Sequence, residues 1–237
     1  MRDRRREFLG STIYGIPGLT FYKDFDRIAD GTYDIATYAA SLLAADYSVG
    51  SGVPTITSTD GNFVIDGGYK ATTANDDVLK YAILGNRTAA QETIVIKFTP
   101  SSDFVNDGVA RILLDNGAGT EARRYLAKDF ASAEIHWKPN NNDANKVQST
   151  TTPLADVSYV IIGVCLTTGD PNGVLYVDGT SEGTPMTTDF TFASFGDYFF
   201  VGSRYSGTLQ AKGTYHSIAF FNRPLSASEV ATVTNLM

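Results

Sequence analysis

Side chains that could bind a sugar surround the single tryptophan of the chain. Trp137 is followed by the polar stretch KPNNNDANK, which supplies Asn140 and Asn141. An aromatic ring offers a flat face on which a sugar can stack, and amide groups form hydrogen bonds with hydroxyls. If its ring is exposed, the pattern predicts a carbohydrate site at these three residues. Ile135 lies on the same face of the predicted strand, so the alternative is that Trp137 anchors the core.

A second pair with the same chemistry occurs in the stretch GSRYSG, where Arg204 precedes Tyr205. The guanidinium supplies hydrogen-bond donors for hydroxyl groups, and the tyrosine supplies a ring face. The two histidines, His136 and His216, lack the spacing of zinc ligands. We therefore interpret both histidines as residues of sheet surfaces.

The segments that must position these side chains have the character of β-strands. Runs rich in β-branched and aromatic residues alternate with Gly, Asp, Asn and Pro turns. The runs are LTFYKDF, NFVIDGG, ETIVIKFTP, VARILLD, RRYLAK, AEIHWKP, SYVIIGVCL, GVLYVDGT and DYFFVGS. A short helix is predicted around residues 39–45. This pattern predicts an all-β fold, an antiparallel two-sheet β-sandwich or jelly roll.

A short C-terminal helix is predicted to follow the last strand. Pro224 ends that strand because proline has no N–H for the sheet, and Ser226 with Glu229 forms a helix-start signature. Val230 and Val233 share one face of the helix. We expect this apolar face to cover an open edge or end of the sheet.

Composition and charge exclude several classes of function. The 237 residues are 43% hydrophobic with a formal charge of −7, which argues against a nucleic-acid partner. The exception is a basic arm at residues 1–18 that contains Arg2, Arg4, Arg5 and Arg6. Such an arm is either a solvated tail or a docking element for an acidic partner surface. Residues 19–237 form the predicted single domain.

The chain has no pattern typical of export or membrane insertion. The basic start is followed by FLGSTIYGIPGL, which Gly and Pro interrupt too often for a signal peptide. The longest apolar run, YVIIGVCL, is far shorter than a membrane helix. These features predict synthesis in a cytoplasm and no membrane insertion.

Three segments together resemble the laminin-G-like domains of the concanavalin A-like lectin and glucanase superfamily. They are GVLYVDGTSEGT, DYFFVGSRYSG and GTYHSIAFFNRPLSASEVATV. The resemblance covers residues 19–237 and is strongest at the end of the chain. It implies a jelly roll but does not determine function. The stretch LAADYSVGSGVPTIT is similar to the sequence that precedes such modules in bacteriophage structural proteins.

The resemblance also implies candidate metal ligands. Laminin-G-like domains often hold one structural calcium ion, and Asp24, Asp26 and Asp66 are the candidates for it here. His216 and Ser217 occupy the positions where relatives often carry an acidic pair. At these two positions the chain departs from the calcium site of the family. Calcium is the single cofactor that we consider.

Enzymatic roles find less support. Glucanases of the superfamily carry an E-x-D-x-x-E carboxylate pattern, which this chain lacks. Alginate-lyase-type jelly rolls suggest a lyase set of His136, Lys212 and Tyr215. The chain departs from that pattern at Glu134, Leu209 and Ser217, which replace a glutamine, a tyrosine and a glutamine.

We therefore predict a non-enzymatic structural protein of a phage virion, either a capsid decoration or a tail-fibre component. We expect it to display a lectin-like jelly roll, to bind glycans, and to contact other virion proteins through its basic arm as a homo-oligomer. The alternatives are a free carbohydrate-binding module and a polysaccharide lyase.

Overall fold

Seventeen strands and three helices account for most of the chain that the structure describes. The computed structural model describes residues 12–49, 53–58, 60–71, 78–82, 91–116, 124–130, 132–139, 145–166, 171–189, 198–204 and 206–237. Two antiparallel sheets face each other across a shared hydrophobic core, which confirms the predicted β-sandwich.

The strands follow one another along the chain with short connections. In chain order they are β1 (Leu19–Asp24), β2 (Gly31–Asp34), β3 (Tyr47–Ser48), β4 (Pro54–Thr57), β5 (Asn62–Ile65), β6 (Tyr69–Ala71), β7 (Val78–Ala82), β8 (Gln91–Pro100), β9 (Arg111–Asp115), β10 (Tyr125–Lys128), β11 (Ile135–Lys138), β12 (Val147–Gln148), β13 (Tyr159–Leu166), β14 (Gly173–Val177), β15 (Thr180–Met186), β16 (Tyr198–Val201) and β17 (Gly213–Phe221). The helices are α1 (Ile35–Leu42), α2 (Ser102–Asn106) and α3 (Ala227–Leu236).

The two sheets differ in size. The ten-stranded sheet has the order β15-β14-β13-β8-β17-β6-β5-β2, and β1 pairs with β17 and with β3. The seven-stranded sheet has the order β12-β11-β10-β9-β16-β7-β4. β17 is central to the larger sheet because it pairs with β8, β6 and β1.

Alternate residues of both sheets form the core between them. Ile94, Ile96 and Phe98 of β8 point inward from the larger sheet, as the two-residue period of a strand requires. Aromatic rings connect the layers, and the ring centroids of Phe199 and Phe220 are 4.5 Å apart. Full burial of such a ring contributes about 1.5–3 kcal/mol to the free energy of folding.

A buried ion pair also joins the two sheets. The Arg124 Nη1 lies 3.3 Å from the Glu92 Oε2, and both side chains are almost fully buried. The Arg124 Nε donates a hydrogen bond of 3.1 Å to the Pro139 carbonyl. Each charge compensates the other in the absence of water. Replacement of one partner leaves the other charge buried and unpaired, so the loss of stability exceeds the net stabilisation that the pair provides.

The outer face of the ten-stranded sheet is also apolar. Val95, Val160 and Ile162 point away from the central core and form a second buried cluster. Val230 and Val233 of α3 complete this cluster. The helix therefore covers the face of the sheet, whereas the sequence predicted that it covers an edge or an end. The reason is that the central strands are apolar on both sides and need cover on both.

The other two helices pack into the sandwich itself. Ala39 of α1, which begins at the Asp34 cap, and Phe104 of α2 belong to the central core. The buried Lys128 Nζ donates a hydrogen bond of 2.6 Å to the Phe104 carbonyl. Across the ranges of residues that the structure describes, no helix is long and apolar enough to cross a membrane.

The residues just before β1 belong to the domain. Ile13 is buried in the second cluster beside α3. The Asn222 N–H donates to the Gly18 carbonyl, and the Arg223 Nε donates to the Pro17 carbonyl. The described residues 12–18 are thus packed on the sandwich, although the sequence assigned them to the arm. Four arginines of the predicted arm lie outside the described residues: Arg2, Arg4, Arg5 and Arg6.

The start of α3 is fixed by a network around one carboxylate. Ser226 and Glu229 form a capping box, and the Arg223 Nη1 donates a hydrogen bond of 2.9 Å to the Glu229 carboxylate. The hydrogen bond from Arg223, together with that from the Ser226 N–H, lowers the pKa of Glu229 from 4.5 to about 2.

This lowered pKa predicts a pH-dependent stability. The unfolded chain binds a proton at Glu229 at a higher pH than the folded one, so the stabilisation is complete above about 4.5 and is lost as the pH falls towards about 2. We expect Glu229→Gln to lower the free energy of unfolding by about 1–2 kcal/mol at neutral pH. We expect the difference in unfolding free energy between variant and wild type, measured by urea unfolding, to disappear as the pH falls from about 4.5 towards about 2. A gap that is independent of pH contradicts the prediction.

Candidate functional site

The structure places Trp137 in the centre of the sandwich. Its side chain is fully buried, and its Nε1–H donates a hydrogen bond of 3.0 Å to the Val164 carbonyl. Gly163 lies directly against the ring, since a Cβ there would be 2.6 Å from the Trp137 Cδ2. Trp137 is therefore a core anchor, and the structure contradicts its predicted role in sugar stacking. Asn140 and Asn141 lie outside the described residues.

The second predicted sugar pair is separate from the first. Arg204 is half-buried in a turn in which its N–H donates to the Thr208 carbonyl. Trp137 and Val201 belong to the same row across the sheet, and β11 runs antiparallel to β16. Pro139, which follows β11, and Gly202, which follows β16, therefore lie at opposite ends of these strands. Tyr205 lies outside the described residues.

The three aspartates proposed for calcium each have a partner within the protein. The Asp24 carboxylate accepts a hydrogen bond of 2.9 Å from the Arg27 Nε. The Asp26 Oδ1 lies 2.8 Å from the His216 Nδ1.

The third aspartate, Asp66, is paired with Lys70 near the β5–β6 turn. Among the residues described, no three or more His, Cys, Asp and Glu side chains are grouped so that they could hold a metal ion. The calcium site therefore remains a prediction from the family resemblance.

The side chains of the lyase hypothesis do not share a cleft. His136 points outward from the seven-stranded sheet, where burial lowers its pKa, and its Nε2 lies 3.2 Å from Asp129. Tyr215 points into the core from the ten-stranded sheet, and its hydroxyl donates to the Leu113 carbonyl. The fully buried hydroxyl has its pKa raised by desolvation. Lys212 is paired with Asp103. This geometry contradicts the lyase set.

One feature that the sequence analysis missed is a row of side chains on the outer face of the seven-stranded sheet. The pairing register places one residue from each of six neighbouring strands side by side. We call these residues the outer row: Lys138, Tyr125, Asp115, Phe200, Lys80 and Thr55. Their chain neighbours, such as Trp137, Leu126 and Phe199, point into the core, so the outer row points away from it.

The outer row is sheltered in its middle and open towards one side. Asp115 and Phe200 are buried, whereas Tyr125, Lys138 and Lys80 are half-buried and Thr55 is exposed. Tyr198, two residues before Phe200 on the same strand, is 40% exposed. The middle of the row is therefore inaccessible to solvent, and the side chains that a ligand can reach lie on either side of it.

Two lysines of the outer row stand over tyrosine rings. The Lys138 Nζ lies 5.3 Å from the centroid of the Tyr125 ring, and the Lys80 Nζ lies 4.8 Å from that of Tyr198. Both distances are within the range of a cation–π interaction. The face therefore presents aromatic rings and ammonium groups together.

No helix of the described chain packs its buried residues on this face. The buried residues of α1 and α2 lie in the central core, and those of α3 lie in the cluster on the other sheet. Of the two outer sheet faces, α3 covers one, and the face with the outer row keeps exposed polar and aromatic groups. This face is the candidate site.

A family model described as the concanavalin A-like lectin/glucanases superfamily, Laminin_G_3, matches residues 85–231. The match covers more than half of the chain. The chain belongs to the concanavalin A-like lectin/glucanase superfamily. Comparison with the curated proteins finds no match for this lectin-like domain.

Solved structures with the same fold include toxin and enzyme chains. The receptor-binding domain of botulinum neurotoxin C/D mosaic serotype aligns with a TM-score of 0.64 at 11% identity, covering 92% of this chain and 51% of that chain. A Trypanosoma rangeli sialidase mutant with trans-sialidase activity gives 0.60 at 15% identity, covering 92% and 32%.

A third structure, of botulinum neurotoxin type C, whose cell entry depends on interaction with two ganglioside molecules, gives 0.55 at 8% identity, covering 77% and 46%. The lectin-like domain thus spans about half or less of these three chains. At these identities the likeness concerns the fold.

The burial of Trp137 predicts a stability effect. We expect Trp137→Ala to lower the free energy of unfolding by about 3–5 kcal/mol because it opens a large cavity between the sheets. The matched control is Tyr198→Ala, which removes an exposed ring and changes the stability by about 0.5 kcal/mol or less. Both values come from chemical unfolding. Equal effects of the two substitutions would show that Trp137 is not a core anchor.

Proposed function

We propose that this lectin-like domain binds carbohydrate through the outer row and the neighbouring Tyr198. The observation that carries the proposal is the contrast between the two outer faces of the sandwich. One face is apolar and lies under α3, and the other displays rings, ammonium groups and hydroxyls in register. Water-exposed rings beside hydrogen-bonding groups are the chemistry that a sugar requires.

Each part of this face has a role in the proposal. The exposed ring of Tyr198 and the half-buried ring of Tyr125 offer surfaces for the apolar faces of sugar rings. Thr55 and Thr57, both exposed on β4, offer hydroxyls as donors and acceptors.

The carboxylates on this face favour binding over hydrolysis. Glycosidases use two carboxyl groups that are about 5–9.5 Å apart. In the described part of the outer row Asp115 is the one carboxylate, and it is buried. Glu134 and Asp129 lie beside each other further along this face, and both are engaged by neighbouring side chains: Glu134 accepts hydrogen bonds from Ser132 and Gln148, and Asp129 lies 3.2 Å from the His136 Nε2. A non-enzymatic role is therefore the proposal that this geometry supports.

The structural neighbours are consistent with glycan recognition by this fold. The botulinum neurotoxin type C structure comes from a toxin whose cell entry depends on two ganglioside molecules. Gangliosides are glycan-bearing lipids, so a chain with this fold belongs to a protein that depends on glycans. Fold-level likeness is an analogy, and the outer row carries the argument for this chain.

We further propose that the domain is displayed on a phage particle as a homo-oligomer. The support is the similarity of the YSVGS stretch to phage structural proteins and the four arginines that precede an acidic domain. In this proposal the arginines contact acidic surfaces of other virion proteins.

A glycan array tests the carbohydrate proposal. We expect wild-type protein to bind a subset of immobilised oligosaccharides and Tyr198→Ala to lose at least about tenfold in affinity, since burial of an aromatic side chain contributes about 1.5–3 kcal/mol. Tyr38→Ala is the control, because Tyr38 is similarly exposed, at 44%, on α1. Equal losses for the two variants, or no glycan binding by the wild type, would contradict the proposal.

Removal of residues 1–11 tests the virion proposal. Because Ile13 and the following residues pack on the sandwich, we expect the truncated protein to keep its unfolding temperature. We expect it to be missing from particles of the phage that encodes it, as measured by mass spectrometry of purified virions. Normal incorporation of the truncated protein would contradict the docking role, and particles without the full-length protein would contradict the virion assignment.

A further inference from the structure

We infer that the outer row selects acidic oligosaccharides, in which sugar rings carry carboxylate groups. This inference rests on the proposed carbohydrate binding and names the class of glycan. The ligand chemistry is a ring-borne carboxylate, which both uronic acids and sialic acids provide. Two ammonium groups positioned beside two rings are the structural basis for it.

The charge that the outer row presents to solvent comes from its lysines. Asp115, the carboxylate in the middle of the row, is fully buried. Lys138 and Lys80 lie on either side of it and are partly exposed. A carboxylate on a ligand therefore meets positive groups at the surface of an otherwise acidic domain, whose formal charge is −7.

Lys80 differs from most lysines of the described chain in its partners. Lys23, Lys70, Lys128 and Lys212 each form an ion pair with an aspartate. Within the described residues, Lys80 forms no ion pair with a carboxylate. Its Nζ lies over the ring of Tyr198. A ligand carboxylate would supply the counter-charge that the described residues do not.

The contact with Tyr198 suggests how one sugar unit is held. Ammonium groups form short, strong hydrogen bonds with carboxylates, so a ligand carboxylate draws the Lys80 Nζ from its position 4.8 Å from the ring centroid. The exposed face of Tyr198 is then available to the sugar ring that bears the carboxylate. Charge recognition and stacking act on the same unit.

The separation of the two lysines indicates a ligand of several sugars. Lys138 on β11 and Lys80 on β7 are four strand spacings apart in the sheet, or about 19 Å. A single sugar ring does not span this distance. We therefore expect an oligosaccharide that crosses the strands, with a carboxylate on the unit that contacts Lys80.

Titration calorimetry with paired probes tests the inference. The uronic acid pair is tetragalacturonate and its carboxyl-reduced counterpart, and the sialic acid pair is disialyllactose and lactose. We expect the wild type to bind one acidic probe at least about tenfold more tightly than its neutral partner. Because the contacts lie near the surface, we expect the preference to shrink as salt rises above physiological strength.

Substitution of Lys80 locates the effect. We expect Lys80→Gln to weaken binding of the preferred acidic probe about three- to fivefold, which is the scale of a solvent-exposed ion pair, and so to reduce its preference over the neutral probe. Lys80→Arg keeps the charge and restores most of the affinity. Lys70→Gln is the matched control, because this half-exposed lysine lies on β6 of the other sheet.

The outcomes separate this inference from the proposed function. Equal binding of acidic and neutral probes overturns the acidic preference and leaves carbohydrate binding in place. An acidic preference that Lys80→Gln does not reduce, in a variant with an unchanged unfolding temperature, also overturns the inference. Absence of binding to all four probes and to the glycan array overturns both. The probe pair that binds shows whether the carboxylate belongs to a uronic or a sialic acid.

Discussion

The central strands of the ten-stranded sheet are apolar on both faces, and the rest of the architecture follows from the need to cover both. Ile94 and Ile96 face the seven-stranded sheet, and Val95 between them faces α3. Burial of that second face requires an extra layer, which the C-terminal helix supplies. The seven-stranded sheet alternates instead between core and polar residues. Its outer side carries the outer row, whose middle is buried and whose flanking residues reach solvent.

The sequence predicted the strands of the interior better than those at the edges. Ten interior strands were visible as apolar runs, whereas the interior strands β6 and β7 and the edge strands β2, β3, β4, β12 and β15 were not. Edge strands are short and polar because exposed apolar edges would aggregate. β15, with the sequence TSEGTPM, contains a proline and a glycine, and the two-residue β12 directly follows the polar stretch KPNNNDANK. The local sequence pattern cannot identify such strands, because they are strands only through their pairing with a neighbouring strand.

The candidate site was difficult to predict for a related reason. Chemistry among chain neighbours pointed to Trp137, which is a suitable residue type but faces the core. Lys80, Tyr125 and Tyr198 are far apart in the chain and meet through strand order and register. Alternation around YLAK and YFFV could have assigned the two tyrosines to the outer face. It could not have shown that they share a surface.

The position of β17 has a consequence for how the molecule is made. The Thr20 hydroxyl donates a hydrogen bond to the Phe220 carbonyl, 200 residues away, and β17 also fills the place between β8 and β6. A growing chain on the ribosome lacks this strand until nearly all earlier strands have emerged. The larger sheet therefore cannot close strand by strand during translation, and its completion is a late, slow event of high contact order.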